Sequence, residues 1–148
     1  LNVISHAFLE RFYQFRHQEG NLLMGKLAVA IGVSGTAGSG HFPADEIEKF
    51  FLYNFVETVA KVTGQGAASC YECGYGETCR IGITAFNHGS GVKISPEMIP
   101  NVKKQDDVIN CAAEAGILLA ARLNNNHDRM KVAAAMQKRM MVMSGGAA

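Results

Sequence analysis

The chain has 148 residues, 48% of them hydrophobic, which is enough for one domain with a core of its own. A formal charge of +1 removes the electrostatic case for nucleic acid or a membrane surface as partner. No apolar run reaches the length that a bilayer-spanning helix needs.

Residues from about 3 to 16 read as a helix. Val3, Ile4, Ala7, Phe8, Phe12 and Phe15 recur at helical spacing, Asn2 or Ser5 can cap it, and Gly20 ends it. Lys26 to Ser34 is a nearly continuous run of small apolar residues, which predicts a strand buried on both faces, as in a parallel sheet. The run breaks at Gly35-Thr36-Ala37-Gly38-Ser39-Gly40-His41, and Pro43, Asp45 and Glu46 open a helix carrying Ile47, Phe50 and Phe51. Val56 to Thr63 alternates Val56, Thr58, Ala60 and Val62 with more polar neighbours, the pattern of a half-covered strand near a sheet edge. Gly64 to Gly91 reads as one long glycine-rich loop, and Pro96 and Pro100 punctuate its exit. A helix follows from Asp106 or Asp107 to Leu123, Asn124-Asn125-Asn126 stops it, and an amphipathic helix runs from about Asp128 to Met143.

Strand, loop, helix, strand, loop, helix is the order of an α/β protein with a parallel sheet. Two strands do not make a stable open sheet, so further strands are expected upstream of Leu1 or from a partner. In such sheets ligands sit beyond the carboxyl ends of the strands. The loop Ser34 to Gly40 lies there. Its glycines let backbone N–H groups approach a ring or a phosphate, and Thr36 and Ser39 add hydroxyls. Its ordinary alternative is a plain strand-to-helix connection.

Three of the four cysteines fall in Cys70-Tyr71-Glu72-Cys73-Gly74-Tyr75-Gly76-Glu77-Thr78-Cys79, a C-x2-C-x5-C spacing. Three thiolates can bind zinc or an iron–sulfur cluster, although both normally take four ligands. Cys111, His88 or a partner's side chain are candidates for the fourth. Cys111 also fits a small core residue, between Val108 and Ala115 on its helix. A Cys70–Cys73 or Cys73–Cys79 disulfide and a set of inert thiols stay open as readings. The C-x2-C start points to a reduced, cytoplasmic setting. His41 is read at the start of its helix, and Met136, Met140, Met141 and Met143 as a packing or oligomer face.

Asn2 to Phe12 resembles the turn and helix after the third strand of flavodoxin-like NAD(P)H-dependent FMN reductases and iron–sulfur flavoproteins. Lys26 to Gly40 looks like that family's fourth strand and glycine loop. Pro43 to Phe55 resembles its fourth helix, and Val56 to Thr63 its fifth strand. Gln105 to Leu123 is similar to its closing helix, with Gly116 at a small position. The resemblance covers roughly residues 1–124 and leaves 125–148 as a helical extension and tail. It implies a flavodoxin-like doubly wound parallel sheet without its N-terminal strands. It also implies FMN at Asn2, Val3, Ser34, Gly35, Thr36, Gly38, Ser39 and Gly40, and an FMN-dependent oxidoreductase in which the flavin, not a side chain, carries the chemistry. NAD(P)H or a protein would supply electrons, and the chain would form homo-oligomers. The metal reading of Cys70, Cys73 and Cys79, as ligands of a cluster or zinc, rests on their spacing and is not carried over from the family.

Two departures stand out. The family's phosphate loop follows a first strand with no counterpart here, and its cluster motif usually lies in the N-terminal half. A non-enzymatic flavodoxin-like subunit, its cysteine loop closed by zinc or a disulfide, is the alternative.

Overall fold

The structure is a computed structural model that describes residues 3–12 and 21–145. In chain order it forms α1 (Val3–Arg11), β1 (Leu27–Ser34), α2 (His41–Tyr53), β2 (Glu57–Gln65), α3 (Ile83–His88), α4 (Asp106–Asn124) and α5 (Arg129–Met143). The class is mixed α/β. β1 and β2 pair in parallel, Leu27 opposite Glu57 and Ser34 opposite Gln65, with α2 as the crossover. Val59 is an extra residue opposite the Ala28–Val29 step, so it interrupts the alternation of β2.

α2 lies on the face of β1 that carries Ala30 and Gly32, and backbone rests on backbone there. A Cβ at Gly32 would stand 2.0 Å from the Gly40 carbonyl oxygen, and one at Gly40 would stand 2.8 Å from that of Gly32. Only glycine permits this approach. Lys61 of β2 bridges to α2, its Nζ 2.8 Å from Asp45 and 2.9 Å from Glu48. Those hydrogen bonds hold both carboxyls below their ordinary values, although the pairs are solvent-accessible and add little stability.

α5 packs on the same side. Asp128 caps it by accepting from the Met130 and Lys131 amides. Arg139 reaches Glu48 at 3.3 Å, and Val132 and Ala133 are buried. Arg129 donates to the Met24 and Leu22 carbonyls, which ties the start of α5 to the turn before β1. α4 covers the opposite face, with Ala115 buried and Val108 set against Gly64.

Several sequence expectations change. β1 is not buried on both faces: Ile31 is 58% and Val33 59% exposed. Among the described residues the sheet has two strands, too narrow for α4 to close that face over β1. Cys111 is exposed and not a core residue, because it lies on a flank of α4 that the narrow sheet leaves bare. The glycine-rich stretch 64–91 is not all loop, since it holds a 3-10 turn at Ser69–Tyr71 and α3. The expected extension of α1 to residue 16, and a cap at Asn2, fall outside the described residues.

Gly32→Ala should destabilise the protein by about 1–3 kcal/mol, because the added carbon meets backbone and not a movable side chain. Gly116→Ala, at an open position inside α4, should stabilise it by up to about 1 kcal/mol. Urea unfolding of the two variants checks both signs.

Candidate functional site

The carboxyl ends of β1 and β2 open on a shallow pocket of about 270 Å³. The glycine loop forms one wall through Ala37, Gly38 and Gly40. The end of β2 forms the floor through Thr63, Gly64 and Gln65, and α4 closes the third side with Gln105, Asp107 and Val108. Each wall follows from local chemistry. Gly38 has φ +75°, a left-handed turn that glycine adopts without strain, and a Cβ there would meet open space. Ser34 Oγ accepts from the Thr36 amide at 3.3 Å, and the Ser39 amide donates to the Thr36 carbonyl, so the loop folds on itself. His41 starts α2, its Nδ1 donating to the Gly38 carbonyl at 2.7 Å.

Two glutamines lock the edge. Gln105 accepts from the Gln65 amide through Oε1 (3.0 Å) and donates to the Gln65 carbonyl through Nε2 (2.7 Å). Its side chain thus pairs with the strand end as a further strand would. Gln65 in turn donates from Nε2 to the Gly35 carbonyl at 3.1 Å. The start of α4, the end of β2 and the glycine loop are thereby one hydrogen-bonded unit.

Gly38 and Gly40 line the pocket, and Ser34, Gly35, Thr36 and Ser39 shape the loop behind it. Asn2 and the side chain of Val3 lie outside what the structure describes. The sequence reading missed Thr63, Gln65, Gln105 and Asp107. No spacing marks the glutamine pair, whose members are 40 positions apart.

The charge of the pocket is specific. Among the described residues neither Lys nor Arg lines it, and Asp106 and Asp107 occupy the first turn of α4. These carboxylates satisfy the positive end of that helix and leave it poor at holding an anion. A second pocket of about 280 Å³ lies at the opposite edge, among Glu57, Arg122, His127, Asp128 and Lys131. Its Arg122 is already held by both carboxylate oxygens of Glu57, at 2.7 and 2.9 Å.

The cysteine loop starts beside the glycine loop, since a Cβ on Gly35 would stand 2.7 Å from that of Ala68. Buried Tyr71 anchors it, with Oη 2.9 Å from His88 Nε2 and 3.3 Å from Asn87 Nδ2 on α3. His88 is therefore engaged with Tyr71. All four cysteines are free thiols: Cys70 and Cys79 are half-buried, Cys73 and Cys111 exposed. Among the described residues no group of three or more His, Cys, Asp or Glu is placed to hold a metal ion. In this arrangement Cys70, Cys73 and Cys79 do not form a ligand set for zinc or a cluster.

No protein-family model, no curated protein and no solved structure matches the chain.

Gln105→Ala removes both bonds to the end of β2 and should cost about 1–3 kcal/mol. Amide exchange at Gln65 should accelerate while exchange at Ala30, in mid-β1, follows only the global change. Unchanged exchange at Gln65 would refute the locking role.

Proposed function

We propose that the carboxyl edge of this β-α-β unit binds the ring of a flavin, FMN by the family resemblance, and that the chain serves electron transfer in a flavodoxin-like, FMN-dependent oxidoreductase. The observation that carries this reading is the pocket at the ends of two parallel strands, walled by glycine backbone, by the polar side chains of Thr63, Gln65 and Gln105, and by one carboxylate, Asp107. That is where open α/β sheets take planar ligands.

The residues present fit the ring and not its phosphate. Gly38 and Gly40 expose backbone, Thr63 brings a hydroxyl and Asp107 an acceptor suited to an imide N–H. A phosphate here would meet Asp107 with no cation among the described residues of the lining, so it fits better outside this pocket. A bound flavin supplies the hydride and electron chemistry. The chain's own part would be to hold the ring beside Gly38, Gly40, Thr63 and Asp107 and to keep the glycine loop fixed through Gln65 and Gln105. NAD(P)H or a protein donor would deliver electrons, and a second copy could complete the assembly. The missing cation also favours a second reading, a flavodoxin-like subunit that holds no flavin and uses its cysteine loop structurally.

Flavin fluorescence titration separates the two. The first reading expects saturable quenching of FMN and of riboflavin fluorescence by the protein, with affinities within about tenfold, a gap of about 1.4 kcal/mol, because the phosphate adds little. Ala37→Trp should fill the pocket and abolish the quenching of both. Absence of quenching of either flavin supports the second reading.

A further inference from the structure

We propose that Cys70 and Cys73 form a reversible dithiol–disulfide couple, with Cys73 as the attacking thiol and Cys70 as the resolving one. The proposal does not depend on flavin binding. It rests on two thiols of unequal exposure three residues apart, the outer sulfur lying against the carbonyl of the inner residue.

Cys70 sits inside the Ser69–Tyr71 3-10 turn, which the Glu72 amide closes onto the Ser69 carbonyl at 3.0 Å. The turn is held from three sides. Buried Tyr71 reaches α3 through His88 and Asn87. Gly76 presses on the Cys70 carbonyl so closely that a Cβ would stand 2.0 Å from its oxygen, and the other side of that Cβ would meet Ile94. Glu77 accepts from the Ile94 amide at 2.9 Å and pins that strand of the loop. Cys70 is thus a half-buried thiol on a fixed platform.

Cys73 is different. It is exposed, and its Sγ lies 3.5 Å from the Cys70 carbonyl oxygen, to which the thiol donates. The Tyr75 amide donates back to the same sulfur at 3.4 Å, a contact made possible by the left-handed turn at Gly74, φ +79°. Two contacts therefore hold the outer sulfur on the Cys70 side of the loop. Cys79 Sγ lies on the Gly82 side of the loop, 3.3 Å from where a Gly82 Cβ would stand. Residues three apart in a tight turn meet the short Cα separation that a disulfide requires.

The exchange partner is a small-molecule disulfide such as glutathione disulfide. The Cys73 thiolate attacks one of its sulfurs, a Cys73–glutathione bond forms, and the first glutathione leaves as thiol. Cys70 then attacks the Cys73 sulfur and releases the second glutathione. Two electrons and two protons pass from the cysteines to glutathione, and Cys70–Cys73 is left oxidised. Reduced glutathione runs the sequence backwards.

The test equilibrates the full chain in glutathione buffers of graded ratio, alkylates the remaining thiols and maps peptides by mass spectrometry. The proposal expects a reversible Cys70–Cys73 cross-link while Cys79 and Cys111 stay alkylated. Cys70→Ser should trap glutathione on Cys73, and Cys79→Ser should leave the cross-link unchanged. Cys73→Ser, at an exposed position, should leave Cys70 alkylatable at every ratio. The wild-type map decides the matter even if a variant fails to fold. A Cys73–Cys79 or Cys70–Cys79 link overturns the proposal, as does persistent glutathione on wild-type Cys73 or full alkylation at every ratio.

Discussion

Everything at the carboxyl edge depends on how closely α2 approaches β1. The contact between Gly32 and Gly40 is backbone against backbone, and no side chain mediates it. It sets the height of the first turn of α2 above the sheet, and so the position of the glycine loop that leads into it. The loop then has little freedom: Ser34 and Thr36 fold it, Gln65 grips Gly35, and Gln105 fastens Gln65 to α4. The pocket is what remains between these fixed walls.

Charge sets the character of that pocket. Asp107 in its lining, with Asp106 beside it in the first turn of α4, opposes an anion, and the remaining polar groups of the lining are neutral donors and acceptors. The opposite edge of the sheet carries two cations, Arg122 and Lys131, each matched by a carboxylate: Glu57 holds the guanidinium, and Asp128 lies 3.9 Å from the Lys131 ammonium. The cysteine loop belongs to the first edge through the Gly35–Ala68 contact. Its thiols are graded from half-buried to exposed, which suits sequential thiol exchange better than simultaneous ligation.

The α/β order was legible because each signal is local. The run from Leu27 to Ser34 forms a strand between glycines, and Asp128 caps α5 through the Met130 and Lys131 amides, two and three residues on. The short α3 was hidden by the glycines around it: six residues carry too little periodicity to register. Exposure of Cys111, Ile31 and Val33 was also hidden, since burial depends on how many strands stand beside β1 and not on the strand's own residues. The glycine loop was found as a motif, yet its fixing partners were not. Gln65 and Gln105 meet only through the tertiary fold, and neither glutamine differs in sequence from a surface residue.

The carboxyl edge, and not the amino edge, is the proposed seat of an uncharged ring. Amide chemical-shift mapping with riboflavin tests it most directly. The account predicts shifts at Gly38, Gly40, Gly64 and Gln65 with Glu57, Arg122 and His127 unmoved. Shifts confined to Glu57, Arg122 and His127, or no shift at saturating riboflavin, would contradict it.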